Sequence, residues 1–200
     1  MRQCVMNMVG DTSHDCWSAS LRDNVLSAGY CNGDLRLFDT RVGSVTWEHC
    51  SVSGGLTSLT LLPHQRLLAA TATGHLSVWD LMTRHKTRGY TCTDTRLDTC
   101  CVWSACPSPH DDNLIVTTLH DGSVRLVRYV APGHRVMIGS DGVNVGTPGN
   151  MVSGRSHQWS ERPVTCWSWC EERPGLALAA GWDQKIRVNI VTNVNNTDKT

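Results

Sequence analysis

The chain has 200 residues, with 18 Lys and Arg against 18 Asp and Glu, so its formal charge is zero at neutral pH. A balanced charge leaves no electrostatic footprint for nucleic acid or for an acidic membrane surface. No stretch approaches the roughly 18 apolar residues of a membrane-crossing helix, and the apolar start, Met1–Gly10, is too short for a secretory signal, so a cytoplasmic protein is expected.

Taken in order, the chain writes one unit four times. In the first, Cys16, Ala19 and Leu21 mark an apolar-x-x-apolar-x-apolar strand, and Val25–Tyr30 is a second strand of small and apolar residues. Asn32-Gly33 is a tight turn, and Leu35-Arg-Leu37 is an alternating third strand that ends in Phe38-Asp39. Period-2 alternation around a glycine turn is the signature of a β-hairpin. Val45–Cys50 reads as an outer fourth strand. The second unit repeats this with Leu56, Leu59 and Leu61, then Leu67–Ala72, Thr73-Gly74, Leu76-Ser-Val78 with Trp79-Asp80, and Tyr90–Thr93 outside.

The third unit has Val102 and Ala105, then Leu114–Leu119, Asp121-Gly122 and Val124-Arg-Leu126. An insertion, Ala131–Pro163, is expected to hold its outer strand and a long mobile loop. The fourth has Val164, Trp167 and Trp169, then Leu176–Gly181, Asp183-Gln184 and Ile186-Arg-Val188. No outer strand follows it, because residues 193–200 are polar and read as a disordered tail. Residues 3–9 have the length and apolarity to supply that strand from the other end and so hide two open edges.

From Gly33 to Gly74 to Gly122 to Gln184 the turns are spaced by 41, 48 and 62 residues, the first two near the 40–45 residues of a four-stranded propeller blade. The predicted blades cover about residues 11–50, 51–95, 96–160 and 161–192. Gly33, Gly74 and Gly122 suit turn positions with positive φ, where a residue without Cβ meets no steric penalty. With no sign of an oxidising compartment, the ten cysteines read as buried free thiols.

A hairpin that ends in Trp79-Asp80 and recurs four times resembles the WD-repeat β-propeller family, over about residues 11–192. Gly10–Trp17, Ala28–Arg41 and Asp183–Thr192, with Arg84-His-x-Thr87-x-Gly89 and Gly139–Gly146, resemble the carboxy-terminal half of the WD-repeat dynein axonemal assembly factors. The resemblance implies an all-β, seven-bladed, non-enzymatic adaptor of which four blades are present, as a partial or truncated propeller or a smaller closed ring. It implies cytoplasmic preassembly of axonemal dynein arms, with heat-shock and prefoldin-like co-chaperone subunits and dynein-arm clients as partners, and no cofactor. Val127 and Asn189 stand where a WD repeat usually has Trp. The blade-locking Asp, His, Ser/Thr and Trp set is also split, since Asp121 and Asp183 match its acid and Trp79 its indole, and no unit has both. Apolar packing, at roughly 1.5–3 kcal/mol per fully buried large side chain, is expected to hold the blades.

Catalysis finds little support, because Ser13, His14 and Asp15 are chain neighbours and no Gly-x-Ser-x-Gly elbow occurs. Cys166 and Cys170 have a metal-like spacing but would stand about 13 Å apart along a strand, so no metal site is expected. The aromatic residues are the functional lead. Trp17 and Trp103 fall one residue past the first apolar position of their strands, off the core pattern, while Cys31, Ala72, His120 and Trp182 sit beside the second hairpin turn. By the resemblance these positions line the face on which propellers bind peptides, which makes Trp17, Trp103, His120 and Trp182 the candidate partner-binding residues. The same rings could instead pack between blades. Arg36, Arg125 and Arg187 share one repeat position and read as a solvated blade face or as contacts to an acidic partner. Residues 84–88 form a short basic loop with the same two readings. A reader of modified peptides or of nucleic acid is the alternative function, and it would need an acidic aromatic cage or a basic stripe.

Overall fold

The computed structural model describes residues 13–50, 54–85, 89–139 and 142–192, and these are all-β apart from one 3-10 turn, Pro63–Gln65. The predicted strand at 3–9 and the tail at 193–200 lie outside the described residues, as does most of the basic loop at 84–88. Four antiparallel sheets succeed one another as the blades of a propeller. The first blade is β1 (Cys16–Arg22), β2 (Val25–Tyr30), β3 (Asp34–Asp39) and β4 (Ser44–Cys50), in that order. The second is β5 (Leu56–Leu62), β6 (Arg66–Thr71), β7 (His75–His85) and β8 (Gly89–Arg96).

The third blade starts with β9 (Val102–Ser108), β10 (Asp111–Leu119) and β11 (Ser123–Val130). A separate hairpin, β12 (Val136–Ile138) with β13 (Asn144–Gly146), precedes the outer strand, β14 (Asn150–Gln158). The fourth blade has three strands, β15 (Val164–Trp169), β16 (Leu176–Gly181) and β17 (Ile186–Ile190).

Successive side chains of a strand point to opposite faces of its sheet, so each second strand feeds two interfaces. In β6, Leu67 and Ala69 pack with Leu35, Leu37 and Trp47 of the first blade, whereas Leu68 and Ala70 pack with Val102, Ala105, Ile115 and Val127 of the third. This explains why Leu67–Ala70 are all at most 1% exposed. The next interface sets Val116 and Val124 against Val164, Trp167 and Ala179. Small polar residues of the first strands stitch the blades together. The Ser18 hydroxyl donates to the Leu56 carbonyl at 2.8 Å, Ser58 accepts from the Ala105 N–H at 3.3 Å, and the Cys106 thiol donates to the Trp167 carbonyl at 3.3 Å.

The turns between second and third strands place Gly33, Gly74 and Gly122 at φ of 92°, 87° and 85°, and Gln184 at 62° in the fourth blade. Gly74 is further constrained, because a Cβ there would meet the Asp98 carbonyl oxygen, and its own carbonyl accepts from the Leu97 N–H at 2.9 Å. Gly122 stands in the same relation to the Ser160 carbonyl and the Trp159 N–H.

Two expectations are corrected. The insertion is not a free loop where it is described: Gly146 lies against Thr83 and Thr91, and Arg135 pairs with Asp80 at 2.6 Å, which ties the β12–β13 hairpin to the second blade. Nor do the three repeat-position arginines form a solvated face. Arg36 pairs with Asp34 and Glu48, Arg125 with Asp98, and Arg187 with Asp183, with their side chains 11–24% exposed. A guanidinium at that depth needs a carboxylate to offset its desolvation.

Candidate functional site

One residue per blade is held at the same place by one backbone bond. The N–H groups of Cys31, Ala72, His120 and Trp182 donate to the carbonyls of Asp15, Gly55, Cys101 and Pro163, at 2.8–2.9 Å. Each caps its second strand beside the Gly33, Gly74, Gly122 or Gln184 turn, so the four lie at the turn end of the molecule. The first two side chains are small, and the last two are rings. Among these four positions, only those of the third and fourth blades carry rings.

Trp103 joins them. Its predecessor Val102 is fully buried in the second–third interface, and alternation along β9 then turns Trp103 away from that core. Its indole Nε1 donates to His120 Nδ1 at 3.2 Å, which requires that nitrogen to be unprotonated. The Trp103 and His120 rings stack at 6.0 Å and 29°, Trp103 and Trp182 lie 5.7 Å apart, and His120 meets Trp182 edge-on at 5.9 Å and 80°. All three separations lie within the range of favourable aromatic pairs. Trp182 is 58% exposed and His120 is exposed, so the cluster presents ring surface to solvent.

Trp17 is not part of this cluster. It is 52% exposed, and its ring lies over Gly55, at the junction of the first two blades. The other residues singled out from the sequence hold turns and strands together. Asp121 Oδ1 accepts from the Ser123 N–H at 2.8 Å. Asp183 accepts from the Lys185 N–H at 3.3 Å and pairs with Arg187, whose hydrogen bond is the main cause that holds its pKa to about 2. The Trp79 indole donates to Ser77 at 3.3 Å and meets Trp47 and His49 edge-on, while Asp80 binds Arg135.

Sequence reasoning missed Asp98 and Cys100, in the loop between the second and third blades. With Asp121 they bring ligand atoms within 4.8 Å of one another, the one such group among the described residues. Asp98 is already engaged there. The Thr99 N–H, followed by Arg125, lowers its pKa, and the arginine balances its charge. No local motif marks these residues, since blade packing alone brings them together.

At the opposite end a groove of about 570 Å³ runs between the second and third blades, lined by Arg66, Asp80, Asp111, Tyr129 and Arg135 among others. Several of its charged side chains are already engaged. Arg66 lies over the Tyr129 ring at 5.2 Å and donates to Asn113, and Arg128 pairs with Asp111 at 2.8 Å. No helix of the described residues is long and apolar enough to cross a membrane.

Four radially packed antiparallel blades, three of them four-stranded and with glycine turns at one end, define a partial β-propeller. No family model matches the chain. It is similar to proteins named Dynein axonemal assembly factor 10: 30% identical over 196 residues to that of Xenopus laevis, covering 93% of this chain and 54% of the relative. The Homo sapiens protein is 29% identical over 196 residues, with 93% and 55% covered, and that of Chlamydomonas reinhardtii 29% over 192 residues, with 90% and 53% covered. The chain thus spans about half the length of these curated relatives. Among solved structures it matches the computationally designed Ika4 protein with a TM-score of 0.67 at 15% identity, covering 96% of this chain and 99% of that one. It also matches the designed Ika8 protein, with a TM-score of 0.63 at 14% identity over 88% of this chain and 46% of the other. These two likenesses concern the fold.

Proposed function

We propose that this chain is a non-enzymatic propeller adaptor in axonemal dynein assembly, which captures a peptide segment of a protein partner at its turn end. The observation that carries this reading is the solvent-facing cluster of Trp103, His120 and Trp182, in which backbone bonds fix His120 and Trp182 at equivalent positions of two blades and Trp103 donates to His120. Interfaces draw most of their energy from a few aromatic anchors, and rings on a rigid scaffold bind without a large ordering cost. The relatives' shared name supplies the process. In this reading the partners are prefoldin-like and heat-shock co-chaperone subunits together with dynein-arm clients, met in the cytoplasm. Trp17, at the same end of the first blade, is a second and separate anchor.

The test is affinity capture from an extract of ciliated cells on the immobilised chain. Trp103→Ala and Trp182→Ala should each lower capture of the bound partner by roughly 30-fold, the scale of a hot-spot loss of about 2 kcal/mol, with β-sheet circular dichroism unchanged. Trp17→Ala should cost less, because its ring stands alone. Undiminished capture by the Trp103 and Trp182 variants would discard the site.

A further inference from the structure

The groove between the second and third blades holds a buried cation without a counter-charge. Arg66 is 6% exposed and is the one charged side chain among the buried described residues. Its Nη1 donates to Asn113 Oδ1 at 2.9 Å, and its guanidinium lies over the Tyr129 ring at 5.2 Å, but both partners are neutral. Its Nε is enclosed with no hydrogen-bond partner, and none of the ion pairs among the described residues includes it. Arg36, Arg125, Arg128, Arg135 and Arg187, all less deeply placed, each pair with a carboxylate.

Strand register shows where the missing partner would have come from. Arg66 stands opposite Asp80 across β6 and β7, and side chains directly opposite in an antiparallel pair share one face. Asp80 is taken, however. Its Oδ2 accepts from Arg135 Nε at 2.6 Å and its Oδ1 from the Met82 N–H at 3.0 Å. Water in the groove can hydrate a guanidinium but brings no charge, and a buried charge is costly until it is paired.

We propose that this groove is a binding site for a carboxylate, which pairs with the Arg66 guanidinium. A planar carboxylate matches the guanidinium fork, and charge-assisted hydrogen bonds are the stronger class. Nη2 makes no hydrogen bond with a described residue and is the donor left for it. The volume of about 570 Å³ lies within the range of small-ligand sites, so there is room for what carries the carboxylate. The remaining charges select among anions. Asp112, partly buried on the same wall, joins no ion pair of the described residues, and with Asp80 and Asp111 it sets three acids against Arg66 and Arg135. A dianion such as phosphate is repelled by that surplus more strongly than a single carboxylate. The site lies at the opposite end from the aromatic cluster, so it does not rest on partner capture there.

The test is selection from a display library of random heptapeptides on the immobilised chain. Recovered peptides should share an Asp or Glu, and changing that residue to its amide should weaken binding by roughly 10- to 100-fold, the scale of a hydrogen bond to a charged group. Arg66→Met should cause the same loss while raising the urea midpoint, because it removes an unpaired buried charge and keeps a long side chain over Tyr129. An arginine that only holds β6 to the third blade would lower the midpoint instead, which would overturn the proposal. Asp112→Asn changes a partly exposed residue and should tighten the same peptides. Butyrate should displace them, and inorganic phosphate at equal ionic strength should not. Butyrate binding that Arg66→Met abolishes, with no acidic peptide recovered, would assign the site to a free small carboxylate and so support it. Peptides without a shared acid, binding indifferent to Arg66→Met, displacement by phosphate as good as by butyrate, or loss with Trp103→Ala alone would each overturn it.

Discussion

Replacing Gly74 by alanine tests how the turns fix the blades. The residue has φ +87°, and a Cβ built on it would run into the backbone carbonyl oxygens of Asp98 and Cys100. Left-handed backbone at a non-glycine residue costs roughly 1–2 kcal/mol, and forcing a methyl group against backbone adds about 1–3 kcal/mol. Gly74→Ala should therefore lose about 2–5 kcal/mol. Gly142 provides the control, since its φ is +73° but an added Cβ would meet nothing within 4 Å. Gly142→Ala should cost only the conformational part, about 1–2 kcal/mol. Equilibrium urea unfolding of both variants, followed by tryptophan fluorescence and circular dichroism, gives the comparison. Equal losses would refute the reasoning, because they would mean that the loop carrying Asp98 yields freely to the turn and the inter-blade bond from the Leu97 N–H to Gly74 holds nothing in place.

Burial pushes the Cys92 thiol up to about 12, so at pH 8 iodoacetamide should modify the exposed Cys16 and Cys166 in the native protein and reach Cys92 only after unfolding, as peptide mapping would show. Arg125→Leu leaves the carboxylate of Asp98 unpaired, and with that group a quarter exposed the loss in urea unfolding should be about 1–2 kcal/mol after solvent screening. Arg41→Ala removes a pair whose arginine is 68% exposed and should leave the midpoint unchanged. The Asp183 carboxyl, held at about 2 chiefly by its hydrogen bond with Arg187 against an ordinary value of 3.8, contributes stability that is present above about pH 4 and lost as the pH falls toward 2. The urea midpoint of Asp183→Asn should accordingly fall less over that interval than that of the parent chain.

The repeated parts of the molecule were legible because each is dictated locally. A run such as Leu67-Leu-Ala-Ala-Thr71 can be buried only between two apolar layers, and Asn-Gly or Asp-Gly between alternating strands specifies a hairpin. What occurs once was not legible. The contact of Arg135 with Asp80 spans 55 positions, and no periodicity announces the β12–β13 hairpin. Arg125 looked solvated because its acid, Asp98, comes from the loop that ends the neighbouring blade.

The site shows the same division. Trp17 and Trp103 occupy one repeat position, so sequence treats them alike. Their surroundings differ because of what the next blade presents. Beyond Trp103 stand His120 and Trp182, whereas the corresponding residues beyond Trp17 are Cys31 and Ala72, which offer no ring, and its indole settles over Gly55. A repeat scaffold thus supplies identical sockets, and the few residues placed in them decide where a patch forms.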